Sequence, residues 1–174
     1  MTRTTFVLLG CCVIFWTLAC QINHYLSPLH ISVFTGGLLV SFSALRVGFR
    51  EGWWCSILIG LLIDSSSLVY FGFHALIFAI VHLLIYLFRS RFPREETAVG
   101  VAVAIAANSV LFLLVTAGLA HRTPEPLSML MRYFVDLTAS AILIAVAGPW
   151  FFALQERALD LCGVSLRREQ RGLL

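Results

Sequence analysis

Residues 98–120 read AVGVAVAIAANSVLFLLVTAGLA, an apolar run without a single charged side chain. At the α-helical rise of 1.5 Å per residue such a run crosses the roughly 30 Å hydrocarbon core of a bilayer, which takes about 20 residues. A helix satisfies every backbone polar group within its own segment, as a bilayer requires. The run therefore predicts a transmembrane helix.

The rest of the chain repeats this pattern. Polar breaks that contain turn-forming residues, such as Ser27-Pro28 and Gly72, separate further apolar runs. The predicted spans are 6–22, 29–45, 53–69, 71–88, 98–120 and 134–154. We therefore predict an all-α integral membrane protein with six transmembrane helices. Residues 1–154 form a single six-helix membrane domain, followed by a basic cytoplasmic tail over 155–174.

Composition supports a membrane protein and excludes an ordinary soluble enzyme. Of the 174 residues, 60% are hydrophobic and 12% are charged, against about 25% charged residues in soluble domains. The formal net charge of +3 is too small for a nucleic-acid-binding surface. The five cysteines have no zinc-type spacing, so the sequence predicts neither a disulfide framework nor a metal site.

The positions of the arginines predict the orientation. All 12 basic residues are arginine. Ten of them lie in the N-terminus, the second and fourth loops and the tail, whereas the opposite loops contain only Arg122 and Arg132. Arginine is enriched in cytoplasmic loops, so we expect both termini in the cytoplasm. Residues 127–133, on the opposite side, fit either an interfacial helix or an extension of the sixth span.

Asp64 is the most informative polar residue, because it lies inside the third predicted span, where an ionisable group is costly. It belongs to a stripe of small and polar residues on one helix face: Gly52, Ser56, Gly60, Asp64 and Ser67. Such a stripe lets another helix approach closely. Three interpretations of Asp64 stay open. It is a structural clamp that accepts hydrogen bonds from nearby hydroxyls and caps the helix end or an adjoining broken helix, or it binds a partner or ligand, or it couples a proton or ion.

The fourth span also has a polar face. Its members, spaced by four residues and finally by three, are His74, Phe78, His82, Tyr86 and Arg89. We expect hydrogen bonds between helices here. The two histidines are two turns apart, about 12 Å along a helix, which is too far for one metal ion.

Two more polar residues lie in the last two spans. Asn108 of the fifth span is expected to contact a neighbouring helix, and Asp136 is expected near the outer membrane interface. The sequence contains no phosphate-binding loop, no nucleophile elbow and no cofactor-binding motif. We therefore predict a protein that is not an enzyme and has no cofactor.

Residues 60–76, GLLIDSSSLVYFGFHAL, resemble the GLLxDxxS…xGxHAL signature of the rod shape-determining protein MreD family. The family typically has a tyrosine followed by arginines at the end of the next helix, which Tyr86, Arg89 and Arg91 match. Its last helix contains a Pro-Trp pair and continues into a basic tail, as Pro149-Trp150 and Arg157 do here. Size and six-span topology also fit this family.

The resemblance selects the candidate site, which serves either partner binding or structure. The residues that match the signature are Gly60, Asp64, Ser67, Gly72 and His74. The secondary polar candidates are His82, Tyr86, Arg89 and Asn108.

The resemblance also implies a function. It implies a non-catalytic component of the cell-elongation complex in the bacterial inner membrane, surrounded by membrane lipids. Its expected partners are MreC, most directly, then the MreB filament and a SEDS glycosyltransferase with its transpeptidase. The family is similar in fold to the substrate-binding subunits of energy-coupling-factor transporters. A small-molecule-binding subunit, with Asp64, Asn108 and the histidines lining a cavity, is therefore the alternative, and self-association stays open.

Overall fold

The computed structural model describes residues 2–67, 70–91, 96–120 and 126–164, apart from the side chains of 119–120 and 126–131. Six α-helices lie in these ranges: α1 (Arg3–Leu26), α2 (Gly36–Arg46), α3 (Phe49–Asp64), α4 (Phe73–Phe88), α5 (Thr97–Ala120) and α6 (Pro126–Leu161). Short 3-10 turns, Ser27–Leu29 and Arg89–Arg91, follow α1 and α4. No strand occurs in the described ranges, so the prediction of an all-α protein with six helices is confirmed.

Within the described part of the chain, four segments have the length and apolar composition to cross a membrane. They are Arg3–Leu29, Phe73–Arg91, Thr97–Gly118 and Arg132–Leu161. Residues 127–133 are helical and continuous with α6, which also passes through Pro149 without ending. The last helix therefore extends on both sides of the predicted span 134–154. The cytoplasmic position of both termini stays a prediction.

The second helix is the centre of the fold. The other five helices surround α2 in the order α1, α3, α4, α5 and α6, and each of them packs against the next. Every residue from Gly36 to Leu45 is buried. With 11 residues, α2 is about 16 Å long, roughly half the hydrocarbon thickness. Its apolar sequence therefore packs against protein on all sides.

Residues 31–35 precede α2 and are not helical. The helix is therefore shorter than the predicted span 29–45, because the chain reaches the interior of the protein in an irregular conformation and only then winds into a helix. Irregular backbone at this position is tolerated when protein groups satisfy its N–H and C=O groups. The groups that do so are described with the candidate site.

Aromatic side chains and one ion pair connect α6 to α1 and to the central helix α2. Phe42 of α2 lies 5.4 Å from Phe152, and Phe15 of α1 lies 4.6 Å from Phe151, measured between ring centroids. Arg46, at the end of α2, forms an ion pair with Glu156. The last turns of α6 are thus part of the packed helical body.

Candidate functional site

Asp64 is the last residue of α3, and its carboxylate holds the beginning of α4. Oδ1 accepts hydrogen bonds from the backbone N–H of His74 (3.0 Å) and contacts His74 Nδ1 (2.8 Å). Oδ2 accepts from the backbone N–H groups of Gly72 (3.0 Å) and Ala75 (3.2 Å). The side chain is completely buried. We call Asp64, Gly72, His74 and Ala75 the α3–α4 clamp.

The clamp provides hydrogen-bond acceptors for the first backbone N–H groups of α4. The first N–H groups of a helix have no acceptor within the helix, and a negative charge near them is also favoured by the helix dipole. Here the acceptor comes from the end of the preceding helix rather than from the adjacent residue. Gly72, the residue before α4, has φ +93°, a left-handed conformation that glycine adopts without strain. This turn directs its N–H toward Asp64.

The structure corrects the expected donors. The sequence predicts hydroxyl groups as donors to Asp64, but the serine hydroxyls bond to backbone carbonyls instead. Ser65 donates to Leu62, Ser66 to Ile63, and Ser67 to the carbonyl of Asp64 at 3.4 Å. Ser67 is therefore a neighbour of the clamp and does not contact its carboxylate. The position of Asp64 also differs, since it ends α3 instead of lying in the interior of a span over 53–69.

Gly60, one turn before Asp64 on α3, lets α3 and α4 approach closely. A Cβ at Gly60 would lie 2.5 Å from Ala75 Cα and 2.7 Å from Ala75 N. One turn earlier in the stripe, Ser56 Oγ lies 3.1 Å from His82 Nδ1 and also donates to the carbonyl of Gly52. The predicted small-residue stripe of α3 is thus the surface on which α4 packs.

The other polar residues of α4 form a second group near its C-terminal end, together with Arg89 of the 3-10 turn that follows. Arg89 donates to the Tyr86 hydroxyl (2.9 Å) and to the Val47 carbonyl (3.1 Å), and its guanidinium lies over the Tyr86 ring. His82 is fully buried, and its Nε2 has no hydrogen-bond partner among the described residues. Across those same ranges no cluster of histidine, cysteine and carboxylate side chains could hold a metal ion.

Asn108 lies where α5 packs against α2 and is not part of the α3–α4 clamp. Its Oδ1 accepts the backbone N–H of Gly37 at 3.1 Å, at the beginning of α2. Phe34 connects the two regions by packing, because its ring lies 6.3 Å from that of His74 and 6.0 Å from that of Phe112.

The irregular segment 31–35 is a polar centre that sequence reasoning missed. Asp136 of α6 accepts from the backbone N–H of Ser32 (2.8 Å) and from its hydroxyl (2.7 Å). Ser140 accepts from the N–H of Phe34 (3.0 Å). Asn23 of α1 binds both backbone groups of Val33, at 2.7 and 2.8 Å. Side chains from α1 and α6 therefore replace the missing helical hydrogen bonds of this segment.

Asp136 is buried among protein groups, 5% exposed, and its expected position near the outer membrane interface stays a prediction. The signal that could have found this centre is the polar content of the second predicted span. This span contains residues of low helix propensity, namely Ser32, Thr35 and the Gly36-Gly37 pair, which do not favour a continuous helix.

Ser32→Ala should lower stability by about 1 kcal/mol, since it removes the hydroxyl bond to Asp136 but keeps the backbone bond. Thermal melting in detergent measures the effect. Thr138→Ala is the matched control, because Thr138 is exposed and donates to the carbonyl of Phe134 in its own helix. An equal effect of both changes would contradict a special role for the Ser32–Asp136 contact.

The fold and the clamp together define a multi-pass membrane protein whose buried polar residues hold its own helices. Comparison with protein families specifies the family. The model of the rod shape-determining protein MreD family matches residues 2–157, and the chain belongs to that family. Searches of curated proteins and of solved structures find no match.

Membership assigns the protein to rod shape determination in the bacterial inner membrane. The family is a structural, shape-determining one and is not known for enzymatic activity. The resemblance of residues 60–76 is thereby confirmed as a family relationship. The role of each site residue in partner binding stays a prediction.

Proposed function

We propose that the protein is a non-catalytic membrane scaffold of the rod-shape complex. In this proposal it binds MreC directly and helps to couple peptidoglycan synthesis, by the SEDS glycosyltransferase and its transpeptidase, to the MreB cytoskeleton. MreC is the first contact in this proposal because the resemblance of residues 60–76 to the family implies it as the most direct partner.

The hydrogen bonds of the Asp64 carboxylate are the observation that best supports a scaffold. Its two carboxylate oxygens contact four protein donors, three backbone N–H groups and one imidazole nitrogen. Asn108 is likewise bonded to Gly37, and Asp136 to Ser32. A substrate-binding subunit of an energy-coupling-factor transporter would need such groups for its ligand. Here they stabilise the helical body, so we favour the scaffold over the transporter.

The outer helix faces offer the surface that a scaffold needs. Large apolar side chains are exposed on each of α1, α4, α5 and α6, for example Ile14, Leu87, Leu113 and Val146. In a bilayer such faces contact lipid or the transmembrane helix of a partner. Partner binding through these faces leaves the clamp intact.

Copurification tests the proposal. We expect MreC to copurify with the tagged protein after extraction of coexpressing cells in mild detergent, whereas an unrelated single-span membrane protein at the same level should not. Reproducible absence of MreC, with both proteins stably expressed, would refute direct binding. A thermal-shift screen with vitamins tests the transporter alternative, since a ligand that binds only the native state raises its melting temperature.

A further inference from the structure

An apolar groove lies on the outside of the protein between α4 and α5. These two helices pack less closely than the other neighbours in the ring. The groove has a volume of about 260 Å³. Its walls include Val81, Leu84 and Phe88 from α4, and Val103, Ala106 and Val110 from α5.

One end of this groove is cationic. Phe88, the last residue of α4, lines the groove, and the guanidinium carbon of Arg91 lies 5.6 Å from the centroid of its ring. Arg91 is exposed, and no carboxylate of residues 2–67, 70–91, 96–120 or 126–164 forms an ion pair with it. The apolar groove thus leads to an exposed arginine that can contact an anion.

The combination fits an amphiphile with a hydrocarbon chain and a phosphate. Arginine binds phosphate oxygens through several N–H donors. We propose that the α4–α5 groove binds one acyl chain of an anionic phospholipid, whose phosphate contacts Arg91. The orientation predicted from the arginine positions puts Arg91, and therefore this headgroup, on the cytoplasmic side of the membrane. Negative surface charge on that leaflet attracts basic residues.

The cationic end of the groove favours a lipid over a partner helix. A phospholipid carries a phosphate next to its hydrocarbon chains, whereas an apolar transmembrane helix offers Arg91 no anion. A hydrocarbon chain is also narrower than a helix, which is about 10 Å wide with its side chains, and it can follow α4 and α5 lengthwise.

Native mass spectrometry of the purified full chain tests the site, with phosphatidylglycerol or phosphatidylcholine of identical acyl chains added to the detergent. We expect the wild type to retain one phosphatidylglycerol in preference to phosphatidylcholine. Arg91→Gln should reduce that preference about fivefold, the effect of one arginine near an anionic headgroup. Arg157→Gln is the matched control, because Arg157 is exposed on α6.

Filling the groove tests the acyl-chain part. Ala106 is exposed, so Ala106→Trp should fill the groove without disturbing the core and should abolish retention of both lipids. Ala145→Trp, at an exposed position of α6, should leave retention unchanged. Val110→Phe is a second groove variant if the first does not fold.

Three results of the mass-spectrometry experiment would overturn the proposal. They are equal retention of the two lipids by the wild type, an equal loss in the Arg91 and Arg157 variants, or unchanged retention in folded groove variants. In intact membranes, a photocrosslinker at position 106 should capture phospholipid. Capture of a protein there would assign the groove to a partner helix and would also overturn the proposal.

Discussion

Asp64→Leu is expected to remove most folded protein from the membrane fraction. The change leaves three backbone N–H groups and the His74 imidazole without their acceptor in a buried site. Each unsatisfied buried donor costs about 1–3 kcal/mol. Since 1 kcal/mol shifts the melting temperature by about 2–4 °C in a chain of this size, a loss of about 10 °C or more is expected. Thermal melting after mild detergent extraction measures it.

Asp64→Asn separates the need for acceptors from the need for charge. The asparagine oxygen still accepts on one side, whereas its NH₂ group faces N–H donors on the other, so we expect stability between wild type and Asp64→Leu. Asp160→Leu is the matched control, because Asp160 is exposed near the end of α6. Equal tolerance of leucine and asparagine at position 64 would contradict the clamp.

Cell shape provides an in vivo test of the Asp64→Leu variant against the Asp160→Leu control. A bacterium that depends on the Asp64→Leu variant as its only copy should become round, whereas one with Asp160→Leu should stay rod-shaped. The amount of protein in the membrane must be measured in parallel. Loss of shape with a normal amount of folded Asp64→Leu protein would give Asp64 a role in partner binding beyond the clamp.

The sequence predicted the helices and the importance of Asp64 for reasons that are local. Long apolar runs must become helices in a bilayer, and an aspartate within or at the end of such a run requires hydrogen-bond donors. The stripe that contains Gly60 likewise indicated a close helix contact before its partner was known. These signals depend on neighbouring residues in the chain and are visible without tertiary structure.

The interruption of the second span depends on distant residues and was not predictable in the same way. Hydropathy cannot distinguish an apolar run that faces lipid from one enclosed by protein, and α2 is enclosed. The donors and acceptors for segment 31–35 come from Asn23, Asp136 and Ser140, up to 106 positions away. The identity of Asp64's donors was missed for a related reason, since the turn at Gly72 determines them.

Gly37→Ala should have the second large effect, because α2 and α5 touch through their backbones at this point. A Cβ at Gly37 would collide with the Asn108 N and Ala104 O atoms, and would lie 2.6 Å from Asn108 Cα. Backbone atoms within a helix cannot move aside as a flexible side chain can. The two helices must therefore separate, which also lengthens the 3.1 Å bond from Gly37 N–H to Asn108.

Overpacking of a core contact costs about 1–3 kcal/mol, which lowers the melting temperature by about 2–12 °C in a chain of this size. Gly10→Ala makes the same exchange in α1, where a Cβ would meet nothing within 4 Å. Alanine favours helix over glycine by up to about 1 kcal/mol, so Gly10→Ala should leave stability unchanged or slightly higher. Because both positions are helical, the difference between the two variants reports the packing of α2 against α5. Similar melting temperatures for the two variants would mean that the central helix is less tightly enclosed than the structure shows.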